Sequence, residues 1–209
     1  MIELPFREFI AQLAARTPTP GGGGAAAFTA TMGASLCAMA VRFCAGKEAA
    51  AGREADLAAV EHALDLCIEK LLPMAERDAA SFERVAEAYR LPRSDDAADA
   101  VRTRAIQEAL AGASVVPEEI VCMARDALAA TARVVDCVGR ALITDLGAGV
   151  ELLDAAARSA ELLVRINASY LKDRELARVT LERVGSVVTE LRGHADAVRA
   201  QVESRIARS

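Results

Sequence analysis

The chain has 209 residues, 53% of them hydrophobic but only 3% aromatic, and it carries a net charge of −5. That length supports one substantial core, and the acidic balance excludes general nucleic-acid binding, which needs a concentrated basic face. Five scattered cysteines (Cys37, Cys44, Cys67, Cys122 and Cys137) with no C-x-x-C read as reduced thiols of a cytoplasmic protein, and only His62 and His194 argue against a histidine-based metal site.

Alanine, the best helix former, does much of the filling, and no run alternates apolar and polar residues as a strand would. The expectation is a single all-α domain over residues 1–209, a helical bundle. A first helix is predicted over about residues 3–16, with Leu4, Phe6, Phe9, Ile10 and Leu13 on one face. Thr17-Pro18-Thr19-Pro20 then forbids helix, because a residue before proline is driven to extended geometry. Gly21, Gly22, Gly23 and Gly24 follow and open a second helix to about residue 45. Its Ala26, Ala30, Ala34 and Ala38 form a smooth ridge on which another helix packs closely, and Gly46 is its stop. Residues 17–41 carry no charge, but their prolines, glycines and small polar residues suit a buried helix of a soluble protein, not a lone membrane span. No signal peptide is apparent at the N-terminus.

A third helical stretch covers roughly residues 48–90, kinked or divided at Pro73. Further helices are predicted at about 95–112, 116–139, 145–171 and 174–207. Pro117, followed by Glu118 and Glu119, marks a helix start, and Asp173 is a candidate N-cap for the last helix.

The glycine run invites several readings. Gly22 to Ala27 satisfies G-x-G-x-x-A, but the dinucleotide motif needs a preceding strand and Thr-Pro-Thr-Pro precedes it. Gly46-Lys47 lacks the first glycine and the hydroxyl of a phosphate loop, with Val41 and Glu48 in their places. Two readings stay open on physical grounds. One is a flexible turn into a buried helix. The other is a helix N-terminus whose free N–H groups face an anionic or carbonyl-bearing ligand.

The segment Thr17 to Ala27, then Met32-Gly33-Ala34 and Gly46-Lys47, closely resembles the start of the C-terminal domain of the formiminotransferase-cyclodeaminase family, whose standalone bacterial relatives are methenyltetrahydrofolate cyclohydrolases. The resemblance continues through Asp78-Ala79-Ala80-Ser81-Phe82, Ala88 to Pro92 and Val116-Pro117. It resumes at Arg140 to Gly149, Ile166-Asn167 and Lys172 to Glu175. It implies an all-helical homodimer that binds a tetrahydrofolate derivative near the glycine turn, with no metal and no cofactor beyond that substrate. The implied reaction is reversible hydrolysis of 5,10-methenyltetrahydrofolate to 10-formyltetrahydrofolate. Cyclodeamination of 5-formiminotetrahydrofolate, or a folate-binding module without catalysis, are the alternatives.

The resemblance assigns Asp78 as general acid/base, a role a carboxyl fills when burial raises its pKa. On residue type alone Asp78 reads first as a solvated helix acid near Arg77 or a member of a helical ion pair, the usual fate of such residues. Lys47 matches a lysine that would hold a carboxylate or pterin oxygen; otherwise it is a cation favoured at a helix end. Asp145, preceded by Thr144, matches an acidic residue that would accept from the pterin amino group and ring N–H, or would cap the next helix. Pro20, Gly21, Gly22, Gly23, Gly24, Gln107 and Asn167 complete the implied substrate lining. Cys37 and Cys44 read as core residues, and His62 as an ordinary helix residue.

Overall fold

In a computed structural model, which describes Met1 and residues 3–207, there is no strand among the described residues. The α-helices in chain order are α1 (Phe6–Leu13), α2 (Gly22–Arg42), α3 (Glu54–Leu71), α4 (Met74–Arg90), α5 (Asp96–Ala113), α6 (Val115–Ala132), α7 (Ile143–Tyr170) and α8 (Arg174–Ala207). Three short 3₁₀ turns, Glu48–Ala50, Val135–Cys137 and Arg140–Leu142, lie between them.

Small residues set how closely these helices approach. The predicted ridge Ala26, Ala30, Ala34 and Ala38 is at most 2% exposed. Helix α2 is long and apolar enough to cross a membrane by length and composition, yet 61% of its apolar window is buried inside the bundle. Its main neighbour is α7. The pair runs antiparallel, since Gly22 faces Leu163 while Gly33, further along α2, faces Gly149 and Leu153. A Cβ on Gly33 would stand 2.8 Å from the Gly149 carbonyl oxygen, and one on Gly149 would stand 2.8 Å from the Gly33 oxygen and from Cys37 Sγ. The backbones therefore meet directly, and only glycine permits that contact. Helices α6 and α8 close the core over fully buried Ile120, Leu128, Leu153 and Leu191, each worth roughly 1.5–3 kcal/mol of apolar burial.

Most predicted helices appear, with shifted ends. The first is shorter than expected, Phe6–Leu13. The stretch predicted from residue 48 begins as α-helix only at Glu54, because Gly52 takes a left-handed φ of 78° and breaks the chain there. Pro73 divides α3 from α4 as expected. Helix α6 ends at Ala132, short of the predicted residue 139, and the chain continues as the 3₁₀ turn Val135–Cys137, which buries Val135 and Cys137. Asp173 caps α8, its Oδ1 accepting from the N–H groups of Glu175 at 3.0 Å and Leu176 at 2.9 Å. Asp145 is not a cap. Helix α7 starts at Ile143 after Leu142, which places Asp145 in the first turn, where the positive end of the helix dipole favours a carboxylate. Arg199 of α8 fixes the register against α7, donating to Glu151 at 2.6 Å and to the buried Asp154 at 2.6 Å.

Candidate active site

Helix α2 begins without a capping side chain. Gly21 is its extended N-cap residue, and its carbonyl accepts from Ala25 N–H at 3.0 Å. The first-turn N–H groups of any α-helix lack intrahelical acceptors, so Gly22, Gly23 and Gly24 present free donors at this end. Pro20 is buried beneath them, 3.7 Å from where a Cβ on Gly24 would stand.

Against this turn lies Asp78 of α4. A Cβ placed on Gly23 would stand 2.1 Å from the Asp78 carboxyl carbon, so glycine at that position is what admits the carboxylate. Asp78 is half-buried, and burial holds its carboxyl above the usual carboxylate range. Arg77, its neighbour in sequence, pairs instead with Glu119 of α6 at 2.5 Å and 3.0 Å. The simple helix ion pair is therefore not what forms.

These groups open onto a cavity of about 510 Å³. Helix α4 contributes Asp78, Ser81, Phe82, Val85 and Tyr89, spaced as one helical face. Helix α7 supplies Leu163, Ile166, Asn167 and Tyr170 by the same periodicity. Leu110, Ala113 and Pro117 close it at the α5–α6 corner, and Pro18 and Thr19 at the loop. A carboxyl biased towards its protonated form, free helix-terminal donors and a mostly apolar chamber together suit proton transfer to and from a bound ligand.

The family model of formiminotransferase-cyclodeaminase matches residues 5–186. The chain belongs to this family. It is 34% identical over 95% of both chains to the methenyltetrahydrofolate cyclohydrolase of Methylorubrum extorquens. It is 26% identical to the formimidoyltransferase-cyclodeaminase of Sus scrofa, matching with 98% of its own length but spanning 38% of that relative. The crystal structure of the Thermotoga maritima formiminotetrahydrofolate cyclodeaminase superposes with a TM-score of 0.88 at 24% identity, covering 98% of each chain, and so shares its fold.

Against the residues the family resemblance marks, the structure brings together Gly21, Gly22, Gly23, Asp78 and Asn167 around the cavity, with Pro20 and Gly24 just behind. Gln107 stands at the edge. Its side chain donates to the Tyr170 carbonyl at 3.2 Å and accepts from Lys172 N–H at 2.5 Å, which fixes the α7–α8 corner behind the chamber. Lys47, Thr144 and Asp145 lie elsewhere. Lys47 is exposed beyond the far end of α2, and the other two sit in the first turn of α7. At 1.5 Å per residue, either helix separates them from the cleft by about 30 Å. Phe82, Val85, Tyr89, Leu163 and Tyr170 were not singled out by sequence. Helical spacing from Asp78 (i+4, i+7, i+11) and from Asn167 (i−4, i+3) is the signal that finds them.

Proposed function

We propose that the protein is a cytoplasmic enzyme that hydrolyses 5,10-methenyltetrahydrofolate reversibly to 10-formyltetrahydrofolate, with Asp78 as general acid/base. The observation that carries this reading is the half-buried Asp78 carboxyl, raised in pKa and seated against the glycine turn of α2 at the head of the cleft. Identity to the cyclohydrolase relative over nearly the whole chain supports the choice of reaction. Water adds to the carbon that bridges N5 and N10, and Asp78 accepts one of its protons. The tetrahedral intermediate then breaks its bond to N5, Asp78 returns that proton to N5, and the hydroxyl proton leaves as the formyl carbonyl forms. One proton is released overall, as required when a cation and water give a neutral product. A carboxyl with a raised pKa serves both halves of this exchange better than an ordinary one.

In this reading the free N–H groups of Gly22 to Gly24 and the amide of Asn167 orient the substrate. The test is the near-ultraviolet absorbance of methenyltetrahydrofolate, which purified protein is expected to bleach faster than buffer. Decay equal to that of buffer at every substrate concentration overturns the assignment. Ammonia release from 5-formiminotetrahydrofolate would move the reaction to the cyclodeaminase.

We further propose that the protein works as a homodimer in which Lys47, Thr144 and Asp145 of one subunit reach the cleft of the other. Because α2 and α7 are antiparallel, the cleft lies at one end of the pair and these residues at the opposite end. A two-fold axis across the pair would set unlike ends against each other. The outer faces of the two helices, with Met32 and Phe43 45% and 60% exposed and Leu162 60% exposed, offer apolar surface for that contact.

A further inference from the structure

A second cavity, of about 430 Å³, lies between α6 and α8 and shares no lining residue with the cleft. The two chambers stand back to back across the α5–α6 and α7–α8 corners. Leu110, Ala113, Pro117 and Tyr170 line the cleft, while the next residue in each case, Ala111, Ser114, Glu118 and Leu171, lines the second cavity.

The charged groups of this second chamber are paired. Arg183 of α8 donates through Nε and Nη2 to Glu118 Oε2 at 2.9 Å and 2.5 Å. Glu119 accepts from Arg77. The remaining wall is mostly apolar, from Ala111, Val115, Met123, Leu171 and Leu176. An ionic ligand would have to break one of these pairs or enter unpaired, a cost that an uncharged one does not meet.

Thr180 of α8 is the exception to this satisfied lining. Thr29, Thr31, Thr131 and Thr189, all helical, donate their hydroxyls to the carbonyl four residues back, at 2.7 Å for Thr29 and 2.8 Å for the others. Thr180 lines the cavity and is only 5% exposed, yet its hydroxyl has no hydrogen-bond partner among the described residues. Among those residues Asp154 Oδ1 is the one fully sealed side-chain atom without a hydrogen bond, so the Thr180 hydroxyl keeps its contact with the chamber. A hydroxyl this buried is ordinarily satisfied, and here the partner has to come from outside the chain. Cys122 lines the same chamber and is the one cysteine that is not buried.

We propose that this cavity is a binding site for a small uncharged molecule with an apolar body and one neutral polar group, which hydrogen-bonds to Thr180. Its volume and lining are those of small-molecule sites. The site stands apart from the folate reading, because no residue of the cleft takes part in it.

The probe is N-benzylmaleimide, an apolar ring with neutral carbonyl acceptors, and Cys122 records its entry. The sulfur adds across the maleimide double bond and the thiol proton ends on the neighbouring carbon, so no oxidant is required. Burial pushes the Cys122 thiol up, which makes its unaided reaction slow. On the folded protein, labelling located at Cys122 by peptide mass spectrometry is expected to saturate with reagent concentration, as binding before addition requires. 3-Maleimidopropionate, which carries a carboxylate, should label more slowly once each reagent is corrected for its rate with glutathione. Thr180→Val should raise the half-saturating concentration of the benzyl reagent about fivefold, the fold-change of one ordinary hydrogen bond, and Thr180→Ser should restore it. Leu176→Trp, which fills the chamber from an exposed edge, should abolish saturation whether or not Thr180→Val folds. A rate that stays linear in reagent, equal corrected rates for the two reagents, or no label at Cys122 overturns the proposal. So does saturation that survives Leu176→Trp, or a half-saturating concentration unchanged in folded Thr180→Val.

Discussion

The two ends of the α2–α7 pair are built from the same two helices and serve opposite purposes. At the cleft end α2 starts bare, with four glycines, no capping side chain and a half-buried carboxyl against its first turn. At the far end α2 finishes in exposed Arg42 and Phe43, and α7 starts with Asp145 in its favourable first-turn position. The cleft end leaves donors unused and keeps an acid partly desolvated; the far end satisfies its dipoles in the ordinary way. Unsatisfied donors beside a partly desolvated acid are a combination that functional sites concentrate.

The largest effect that would sharpen this contrast is loss of the acid. Asp78→Asn should lower kcat by about 10²–10⁴-fold, the usual contribution of a positioned general acid/base, with folate binding retained. In the wild type the base form of Asp78 is lost as pH falls through its pKa. The acid limb of the hydrolysis profile should therefore sit above the ordinary carboxylate range, and Asp78→Asn should abolish that limb.

Next comes Gly23→Ala, which places a Cβ where the Asp78 carboxyl now sits. The carboxyl must move, and a displacement of about 1 Å in a catalytic group costs on the order of 100-fold in rate. Equal activity in Gly23→Ala would break the link between the glycine turn and the acid.

The far end is tested by mixing subunits. Asp78→Asn and Asp145→Asn, each inactive or weak alone, should recover about a quarter of wild-type activity when refolded together, because half of the dimers carry one intact composite site out of two. No recovery would confine each site to one chain.

A smaller effect concerns packing. Gly149→Ala drives a Cβ to 2.8 Å from a backbone oxygen and should destabilise the fold by about 1–3 kcal/mol in denaturant titrations.

The smallest expected effect has the opposite sign. An acid whose folded pKa is raised above its unfolded value binds its proton more tightly when folded, so its stabilising effect is lost as pH rises through the folded pKa. Above that pH the partly buried charge opposes folding. Asp78→Asn should then raise Tm by about 2 °C at neutral pH, and the gain should vanish below pH of about 4.

Much of this was legible in the residues. The alanine spacing of α2 located the buried helix, because small residues at i, i+4 have few other uses, and prolines marked the breaks at 17–20 and at 73. The family resemblance pointed to Asp78, Asn167 and the glycine turn, and these line one cavity. What the sequence hid is of two kinds. Phe82, Tyr89 and Tyr170 look like ordinary helix residues until α4 and α7 are known to face one chamber. Lys47 and Asp145 carry motifs as strong as that of Asp78, yet linear order says nothing of the antiparallel crossing that sends them to the other end of the bundle.

That crossing also bears on motion. Where Gly33 and Gly149 touch, backbone meets backbone, with Leu36, Cys37 and Leu153 packed at the margins, so α2 and α7 have little room to slide past each other. Their central amides should exchange with deuterium only on global unfolding, while those of the short, largely exposed α1 exchange through local fraying. Any opening that admits a ligand is therefore expected at α4, α5 and the Pro18–Thr19 loop, which wall the cleft against this pair.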